Sequence, residues 1–350
     1  MPVVLETSAL QRTRKALEAL VGGPMPSRTV PGEGGADLVL FGRGRQILVE
    51  YRHPGTAAQV DAAARHLRGS ARRLGSTVIP VVSVPFMGEA GRRVCAAHQV
   101  NWIDLSGNAH IIVPGLRIEI AGHSNAFVRR GRPSNVFAPK SSRVARQLLM
   151  DPDKGVTQRG LSRATGLEEG FVSKIVRRLE TDGLVVRDKS GAVRPRDPNL
   201  LLDAWSEACE FSTHQIMKGH MTARSGEELV RKMGSFLSKH RIEHAATGLG
   251  AAWLYSPFAA FRTVTFYIKG EPDWNELRRQ GWREESEAPN LWLVIPKDEG
   301  VFFQGVVRKS GIYCVHPVQV YLDLQFQPER AREAAQHLRE TQLKWKRHAR

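Results

Sequence analysis

The chain has 350 residues, with 51 lysines and arginines against 35 aspartates and glutamates, a net charge of +16 and an isoelectric point near 10.2. Its length allows two or three domains with separate cores, and its basic charge favours a polyanionic partner whose binding is sensitive to salt. No stretch approaches the roughly 20 apolar residues of a membrane-spanning helix, which argues against a membrane partner.

The basic excess lies mainly before residue 198. Residues 1–140 hold 18 basic and 9 acidic side chains, residues 141–197 hold 12 and 8, and residues 198–350 hold 21 and 18. The three cysteines are widely spaced and form no CxxC pair, which favours free thiols over a zinc site or a disulfide framework. The first 23 residues indicate an amphipathic helix without the apolar run of a secretory signal, so we expect a soluble, cytoplasmic protein.

Residues 1–125 alternate between helical and strand patterns. The segment 78–84 is so apolar that both faces of its strand must be covered, as in a sheet between helices. We therefore predict a mixed α/β domain. Helices are expected at residues 7–20, 57–74 and 90–98, and strands at residues 36–41, 46–52, 78–84, 101–105 and 109–113.

Two of these strands carry side chains that suit metal chemistry. Asp37 lies on the first, and Glu50-Tyr51-Arg52 lies on the next, with Glu50 and Arg52 on one face because side chains alternate along a strand. The arrangement resembles the restriction-endonuclease-like superfamily over roughly residues 5–122. That resemblance implies an Asp and a Glu-x-Lys pair that bind a divalent metal and orient a water molecule.

Arg52 stands where that superfamily usually has lysine. Arginine stays protonated and is bulky, so it is a poor proton partner for a metal-bound water. Two interpretations remain: an active nuclease that uses Mg²⁺, or a degenerate fold that binds DNA or protein and needs no cofactor. Gln59 and His66 are either neighbours of this site or ordinary helix-surface residues, and Asp104 is expected to accept hydrogen bonds within a turn.

Residues 126–140 form a connector with two prolines, a glycine and no apolar period. Its arginines Arg129, Arg130 and Arg132 are candidates for tracking a DNA backbone or entering the minor groove, as basic arms do. The alternative is a solvated linker, and the residues do not choose between the two.

Residues 141–197 show the pattern of three helices followed by a hairpin. Thr157 is a good N-cap for the second helix, because its hydroxyl can accept a free backbone N–H, and Gly166 can end that helix in the left-handed conformation. A first helix is indicated by apolar residues at helical spacing, namely Val144, Leu148 and Leu149. The buried face of a third helix is predicted at Phe171, Ile175, Val176 and Leu179.

The segment Asp188-Lys189-Ser190-Gly191 supplies a hairpin turn between two short apolar strands, and the resulting order is that of a winged helix-turn-helix that reads DNA. A module used only for protein contacts, with its charges as a solvated face, is the alternative. We expect double-stranded DNA as the partner, bound by a monomer or by a homodimer. The candidate DNA contacts are Thr157, Gln158, Ser173, Lys174, Arg177, Arg178, Arg187, Lys189 and Arg194.

Residues 198–350 indicate another α/β domain, which resembles the nucleotidyltransferase-like domain of bacterial regulators. The resemblance implies that a working transferase needs a Gly-Ser followed by two acidic residues that hold Mg²⁺. This chain has Gly248-Leu249-Gly250 and Thr265-Phe266-Tyr267 instead, so we expect a non-catalytic domain. Helices are expected at residues 198–218, 225–240 and 329–345, and strands or strand edges at residues 263–268, 291–295 and 315–317.

The middle and C-terminal parts together resemble the antitoxin family of the abortive-infection type IV toxin–antitoxin systems (AbiEi). The resemblance rests on the winged helix at 141–197, on TGLGAAW at 247–253 and on HPVQVYLDL at 316–324. It implies a bacterial repressor that reads repeats in its own promoter and opposes a nucleotidyltransferase toxin. The nuclease-like N-terminal domain departs from that family and favours a broader transcriptional regulator.

The sequence therefore predicts a multi-domain α/β protein whose function is sequence-specific transcriptional regulation, most simply repression, without an enzymatic activity. A metal-dependent DNA nuclease that the winged helix targets is the alternative, and an interaction module that acts through the C-terminal domain is a third class. The predicted organisation is a restriction-endonuclease-like domain at 1–125, a basic linker at 126–140, a winged helix-turn-helix at 141–197 and a nucleotidyltransferase-like domain at 198–350.

Overall fold

The chain divides into two compact units, Met1–Pro133 and Ser134–Arg350. Both units combine helices with a β-sheet, so the protein is mixed α/β as expected. In the described part of the chain, no helix has both the length and the apolar character needed to cross a membrane. The computed structural model describes residues 2–28, 36–42, 44–127, 136–285 and 287–345.

The first unit contains a seven-stranded sheet in which the strands follow one another in chain order. Its middle strands β3, β4 and β5 run parallel, and the outer pairings are antiparallel. The elements of this unit are α1 (Pro2–Val21), β1 (Ser27–Arg28), β2 (Leu38–Gly42), β3 (Arg45–Tyr51), α2 (Ala57–Leu74), β4 (Val78–Val84), α3 (Glu89–His98), β5 (Asn101–Asp104), β6 (Ala109–Val113) and β7 (Leu116–Ile120).

Helices cover both faces of this sheet. Leu17 of α1 packs with Leu40 and Val49 on one face, whereas Leu67 of α2 packs with Val82 on the other. Every residue of β4 is buried, which confirms the expectation that both of its faces are covered. The predicted helices and strands are all present within a few residues, and the short edge strands β1 and β7 were not predicted.

The second unit begins with the winged helix-turn-helix that the sequence predicts. Thr157 caps α5 by accepting a hydrogen bond from the backbone N–H of Gly160 at 3.1 Å, and Gly166 ends that helix at φ 65°. Val156 pairs with Val193 and adds a third short strand segment to the wing. The elements are α4 (Ser142–Met150), α5 (Gln158–Thr165), α6 (Glu169–Thr181), β8 (Val185–Arg187) and β9 (Val193–Pro195).

The rest of the second unit is built on another seven-stranded sheet, which has the order β13-β10-β14-β12-β11-β16-β15 and mixes parallel with antiparallel pairs. The elements are α7 (Pro198–Ala208), β10 (Gln215–Met221), α8 (Gly226–Lys239), β11 (His244–Thr247), α9 (Gly248–Tyr255), β12 (Val264–Ile268), α10 (Trp274–Arg279), β13 (Trp282–Glu284), β14 (Leu291–Ile295), α11 (Gly300–Phe303), β15 (Val307–Lys309), β16 (Ile312–Cys314), α12 (Pro317–Leu324) and α13 (Ala331–Gln342).

Two neighbouring residues of β12 show how helices cover both faces of this sheet. Phe266 lies against Gly234 of α8, and the next residue, Tyr267, donates a hydrogen bond to Asp323 of α12. Successive side chains of a strand point to opposite faces, so α8 and α12 lie on opposite sides. Asp323 also accepts a hydrogen bond from Thr247, and burial raises its pKa to about 7.

One predicted element of this unit is wrong in its second half, and another is only partly present. The helix expected at residues 198–218 ends at Ala208, and Gln215–Met221 is strand β10 between β13 and β14. Gly219 does not end a helix: a Cβ there would lie 2.1 Å from the indole nitrogen of Trp282, so glycine is needed where that side chain crosses the strand.

The strand edge expected at residues 315–317 is present only at Val315, whose backbone N–H donates to the carbonyl of Ala246 in β11 at 3.0 Å. The strand β16 ends at Cys314, and Pro317 is the first residue of helix α12. His316 is the N-cap of that helix, and its ring nitrogen Nδ1 accepts the backbone N–H of Val318 at 3.2 Å. Proline at the first helical position suits a helix start, because its missing N–H would have no partner within the helix.

An ion pair of helix α4 links the winged helix to the C-terminal sheet domain. The Arg143 guanidinium binds both carboxylate oxygens of Asp298, with Nε–Oδ2 at 2.8 Å and Nη2–Oδ1 at 2.6 Å. Its remaining Nη1 donates to the backbone carbonyl of Thr165 at 3.1 Å. One side chain therefore joins the sheet domain, α4 and the end of α5.

We expect Arg143→Met to lower the free energy of unfolding by about 1.5–3 kcal/mol, because the partly buried Asp298 would lose its charged partner. Urea unfolding followed by tryptophan fluorescence reports this unit, since six of the seven tryptophans lie after residue 198. The control Arg177→Met removes an exposed arginine and should stay within about 0.5 kcal/mol of the wild type. Equal effects of the two substitutions would contradict the role of the Arg143–Asp298 pair.

Candidate functional site

The third helix of the winged module, α6, has one buried and one exposed face. Val172, Ile175, Val176 and Leu179 are buried, whereas Phe171 is 37 % exposed. The prediction that Phe171 belongs to the buried face is therefore wrong. In the first turn of α6 the buried residue is Val172, and the preceding residue, Phe171, points away from the core.

Arginine and lysine side chains on the exposed face of α6 differ in whether they form ion pairs. Lys174 and Arg177 are exposed and form no ion pair with any described residue. Arg178 is exposed as well, but its Nε lies 3.0 Å from Oδ2 of Asp182 one turn later. Ser173 is half-buried beside them. Two cations are thus available to a polyanion without breaking an existing contact.

The wing presents a second group of basic residues. Lys189 is exposed at the turn and Arg194 is half-buried on β9, and neither forms an ion pair within the described ranges. Arg187 is held by Glu180 of α6 through two contacts, with Nε–Oε1 at 3.0 Å and Nη2–Oε2 at 3.2 Å. This pair connects the wing to the end of α6.

The turn of the wing is organised by one carboxylate. Oδ1 of Asp188 accepts the Ser190 hydroxyl at 2.6 Å, the Ser190 N–H at 2.9 Å and the Ala192 N–H at 3.0 Å. The Ser190 hydroxyl contributes most to lowering the pKa of Asp188, although this carboxyl is exposed. Gly191 has φ 83°, as a tight turn requires, so the predicted turn is confirmed.

The second helix, α5, contributes polar residues near its N-terminus. The Thr157 hydroxyl is already used in capping, and Gln158 is half-buried. Arg163 is exposed on the same helix and was not among the predicted contacts. Arg159 and Arg163 are four residues apart and so share one face of the helix. That spacing in the sequence could have identified them as further candidate contacts. The linker residues Arg129, Arg130 and Arg132 lie outside the described residues.

In the first unit, Asp37, Glu50 and Arg52 come together as expected. The Arg52 guanidinium contacts Oε1 of Glu50 through Nη2 and lies 3.4 Å from Oδ2 of Asp37 through Nη1. The other Glu50 oxygen lies 2.8 Å from Nδ1 of His66, which is therefore a neighbour of this group. Burial raises the pKa of Glu50, while the His66 contact and the Arg52 charge oppose that rise in part.

This arrangement does not fit a divalent metal. Both oxygens of Glu50 have partners, and Oδ2 of Asp37 accepts the Tyr51 N–H at 2.7 Å in addition to its contact with Arg52. Arg52 contacts both carboxylates, so its positive charge lies where an ion shared by Asp37 and Glu50 would have to bind. Among the described residues, no group of three histidine, cysteine, aspartate or glutamate side chains is placed to share an ion.

Gln59, the other predicted neighbour of this site, and Asp104 both have structural roles. The Gln59 side chain accepts the backbone N–H groups of Gly55 and Thr56, so it caps α2. Asp104 is buried and accepts the backbone N–H groups of Met87 at 3.0 Å and Asn108 at 2.9 Å. The expectation that Asp104 organises a turn is confirmed.

The glycine-rich start of α9 is occupied by a side chain from the same domain. Gln327 accepts the backbone N–H of Leu249 at 3.2 Å and donates to the Thr265 hydroxyl at 2.9 Å. A Cβ on Gly248 would lie 2.1 Å from the Gln327 amide, and Gly248 has φ 60°. The helix N-terminus is therefore closed by Gln327.

Comparison with known proteins identifies one segment. Residues 138–194 match the MarR family, and these residues span α4, α5, α6 and most of the wing. No curated protein and no solved structure matches the chain. The match covers well under half of the chain. It supports a winged-helix regulator that binds DNA, and the described geometry of α6 and the wing is consistent with that module.

Proposed function

We propose that this protein is a sequence-specific transcriptional repressor that reads DNA with α6 and the wing. The observation that carries the proposal is the pair Lys174 and Arg177, which lie exposed on α6 with no ion-pair partner among the described residues. Lys189 and Arg194 extend this basic surface onto the wing. The match of residues 138–194 to the MarR family supports the same function.

The exposed residues of α6 suit different parts of the groove. In helix-turn-helix modules the N-terminal residues of the recognition helix contact base edges. Phe171 lies in the first turn of α6 and is exposed, so it could contact a thymine methyl group. Ser173 and Lys174 can donate to base edges, and Arg177 can reach a base edge or a phosphate.

The other parts of the chain act as non-catalytic domains in this proposal. Arg52 neutralises the carboxylates of the nuclease-like site, and Gln327 closes the start of α9. The first unit has a basic excess, which lets it extend the DNA footprint. Repression then follows from occupying a promoter, with a monomer on a direct repeat or a homodimer on a palindrome as the two binding modes. The pairing with a toxin rests on the AbiEi resemblance alone.

We expect Arg177→Ala to weaken binding to the DNA upstream of the protein's own gene by about tenfold, because a free cation is lost from the reading surface. Arg178→Ala is the matched control: the same residue type lies one position later, but its guanidinium is engaged by Asp182. Its effect should be several times smaller. Fluorescence anisotropy in EDTA at several salt concentrations measures both affinity and the salt dependence of binding.

The salt dependence of binding distinguishes a phosphate contact of Arg177 from a base-edge contact. A phosphate contact should reduce the slope of log affinity against log salt by about 0.9, whereas a base contact should relax sequence preference at one position. Equal losses for Arg177→Ala and Arg178→Ala would contradict the proposed reading face. No binding to upstream DNA or to a randomised duplex pool would overturn the function itself.

We also expect purified protein to leave DNA uncut in the presence of saturating Mn²⁺, because Arg52 occupies the place between Asp37 and Glu50. The measurement incubates upstream DNA with the protein in EDTA or Mn²⁺ and follows both mobility shift and cleavage. A shift in EDTA without cutting in Mn²⁺ agrees with the proposal. Cutting in Mn²⁺ that Glu50→Ala abolishes would show that the first unit is a working nuclease.

A further inference from the structure

The sheet of the first unit ends on one side at strand β7. Within the described residues β7 pairs with β6 and with no further strand, so its outer row of backbone N–H and C=O groups has no strand partner there. With five residues it is the longest edge strand of the two seven-stranded sheets, since β1 has two residues and β13 and β15 have three each. An open edge of this kind is a template for pairing with another strand.

Strand β7 has few of the features by which proteins protect an edge. It contains neither proline nor lysine. Its register with β6 is continuous over five residue pairs, from Ala109 opposite Ile120 to Val113 opposite Leu116, so no bulge interrupts it. Its two charged residues have opposite signs, so they do not repel another strand as a row of lysines would. The edge is therefore open to pairing.

The two faces of β7 differ in their chemistry. Ile118 packs against the core that includes residues of α1, and Leu116 and Ile120 share its face because side chains alternate along a strand. All three are half-buried. Arg117 and Glu119 lie on the opposite face, with side chains 70 % and 46 % exposed. The edge thus carries one apolar row and one charged row.

We propose that β7 pairs with β7 of a second copy of this chain, antiparallel about a two-fold axis at Ile118, so that the two sheets join. In this register Leu116 lies opposite Ile120 of the second copy, and Arg117 lies opposite Glu119 of the second copy. Within one copy Nη2 of Arg117 already lies 3.1 Å from Oε1 of Glu119. Pairing therefore joins two exposed ion pairs into a group of four alternating charges, and cross-strand pairs of opposite charge stabilise a sheet.

The alternation of charge along β7 selects this register. In a two-fold antiparallel pair, the residue on the axis lies opposite its own copy. An axis at Arg117 would place two arginines opposite each other, and an axis at Glu119 would place two glutamates there, which is destabilising. An axis at either end of β7 would pair fewer residues. Only the axis at Ile118 pairs the whole strand and matches both rows.

This contact lies in the first compact unit, outside residues 138–194, so it does not follow from the match to the MarR family. Dimerisation itself does not rest on the proposed DNA-binding function. Its consequence does, because a dimer carries two winged modules and binds two half-sites, which selects the homodimer from the two binding modes described above.

Sedimentation velocity of the full chain without DNA measures the association. Because one pair of five-residue strands is a small interface, we expect a monomer–dimer equilibrium with a Kd of about 1–50 µM. Glu119→Arg places arginine opposite Arg117 at two points of the dimer and should weaken dimerisation at least about tenfold. The double substitution Arg117→Glu with Glu119→Arg exchanges the charges, so opposite charges face each other again and the Kd should return to within about threefold of the wild type.

A cysteine substitution tests the position of the axis. Two residues opposite each other in an antiparallel pair have Cα atoms about 4.5–5.5 Å apart, which a disulfide can span. Ile118→Cys should therefore give a disulfide-linked dimer on mild oxidation, seen in non-reducing electrophoresis. Ile112→Cys is the matched control: Ile112 is 45 % exposed but lies on β6. Its two copies would be about 14 Å or more apart across three strand spacings and should not crosslink. The wild type, with its three native thiols, sets the background.

The proposal is overturned if the wild type stays monomeric up to about 100 µM. It is also overturned if Glu119→Arg dimerises as tightly as the wild type, since the interface would then lie elsewhere in the chain. Crosslinking of Ile118→Cys that does not exceed that of Ile112→Cys would equally exclude the axis. Loss of DNA binding in a separate assay would leave these measurements unchanged, so this proposal and the proposed function fail independently.

Discussion

Two arginines of helix α4 link the winged helix to the C-terminal sheet domain. Arg143 binds Asp298 with two charged contacts, and Arg146 reaches Gln304 and Gln319 from a buried position on the same helix. Because α4 also supplies core residues of the winged helix, its orientation depends on both domains. Helix α6 is thus held by a helix that is also bound to the sheet domain.

Ion pairs within the winged module divide its basic residues into two classes. Arg178 is engaged by Asp182 at the end of α6, and Arg187 of the wing is engaged by Glu180, a pair that connects the wing to α6. Lys174, Lys189 and Arg194 have no such partner among the described residues. The net charge of this segment therefore overstates the number of cations that are free to bind DNA. A paired cation must first give up its carboxylate partner.

The first unit shows how one residue changes the chemistry that a carboxylate pair can support. Asp37 and Glu50 lie near each other, as their positions on adjacent strands predict, but the space between them contains the Arg52 guanidinium. An arginine there supplies a permanent positive charge in place of a metal ion and cannot accept a proton from water. The two carboxylates and Arg52 form an ion-pair group, to which His66 adds a further contact.

The sequence by itself determined the elements whose signals are local. The caps at Thr157 and Gly166, the turn at Asp188–Gly191 and the buried strand β4 all follow from hydrogen bonds or periodicity within about ten residues. Tertiary structure alone decided that residues 215–221 form a strand, that Phe171 is exposed and that Arg146 is buried beside a cavity. Those outcomes depend on partners far away in the chain, such as Trp282 for Gly219 and Gln319 for Arg146, and no local pattern encodes such contacts.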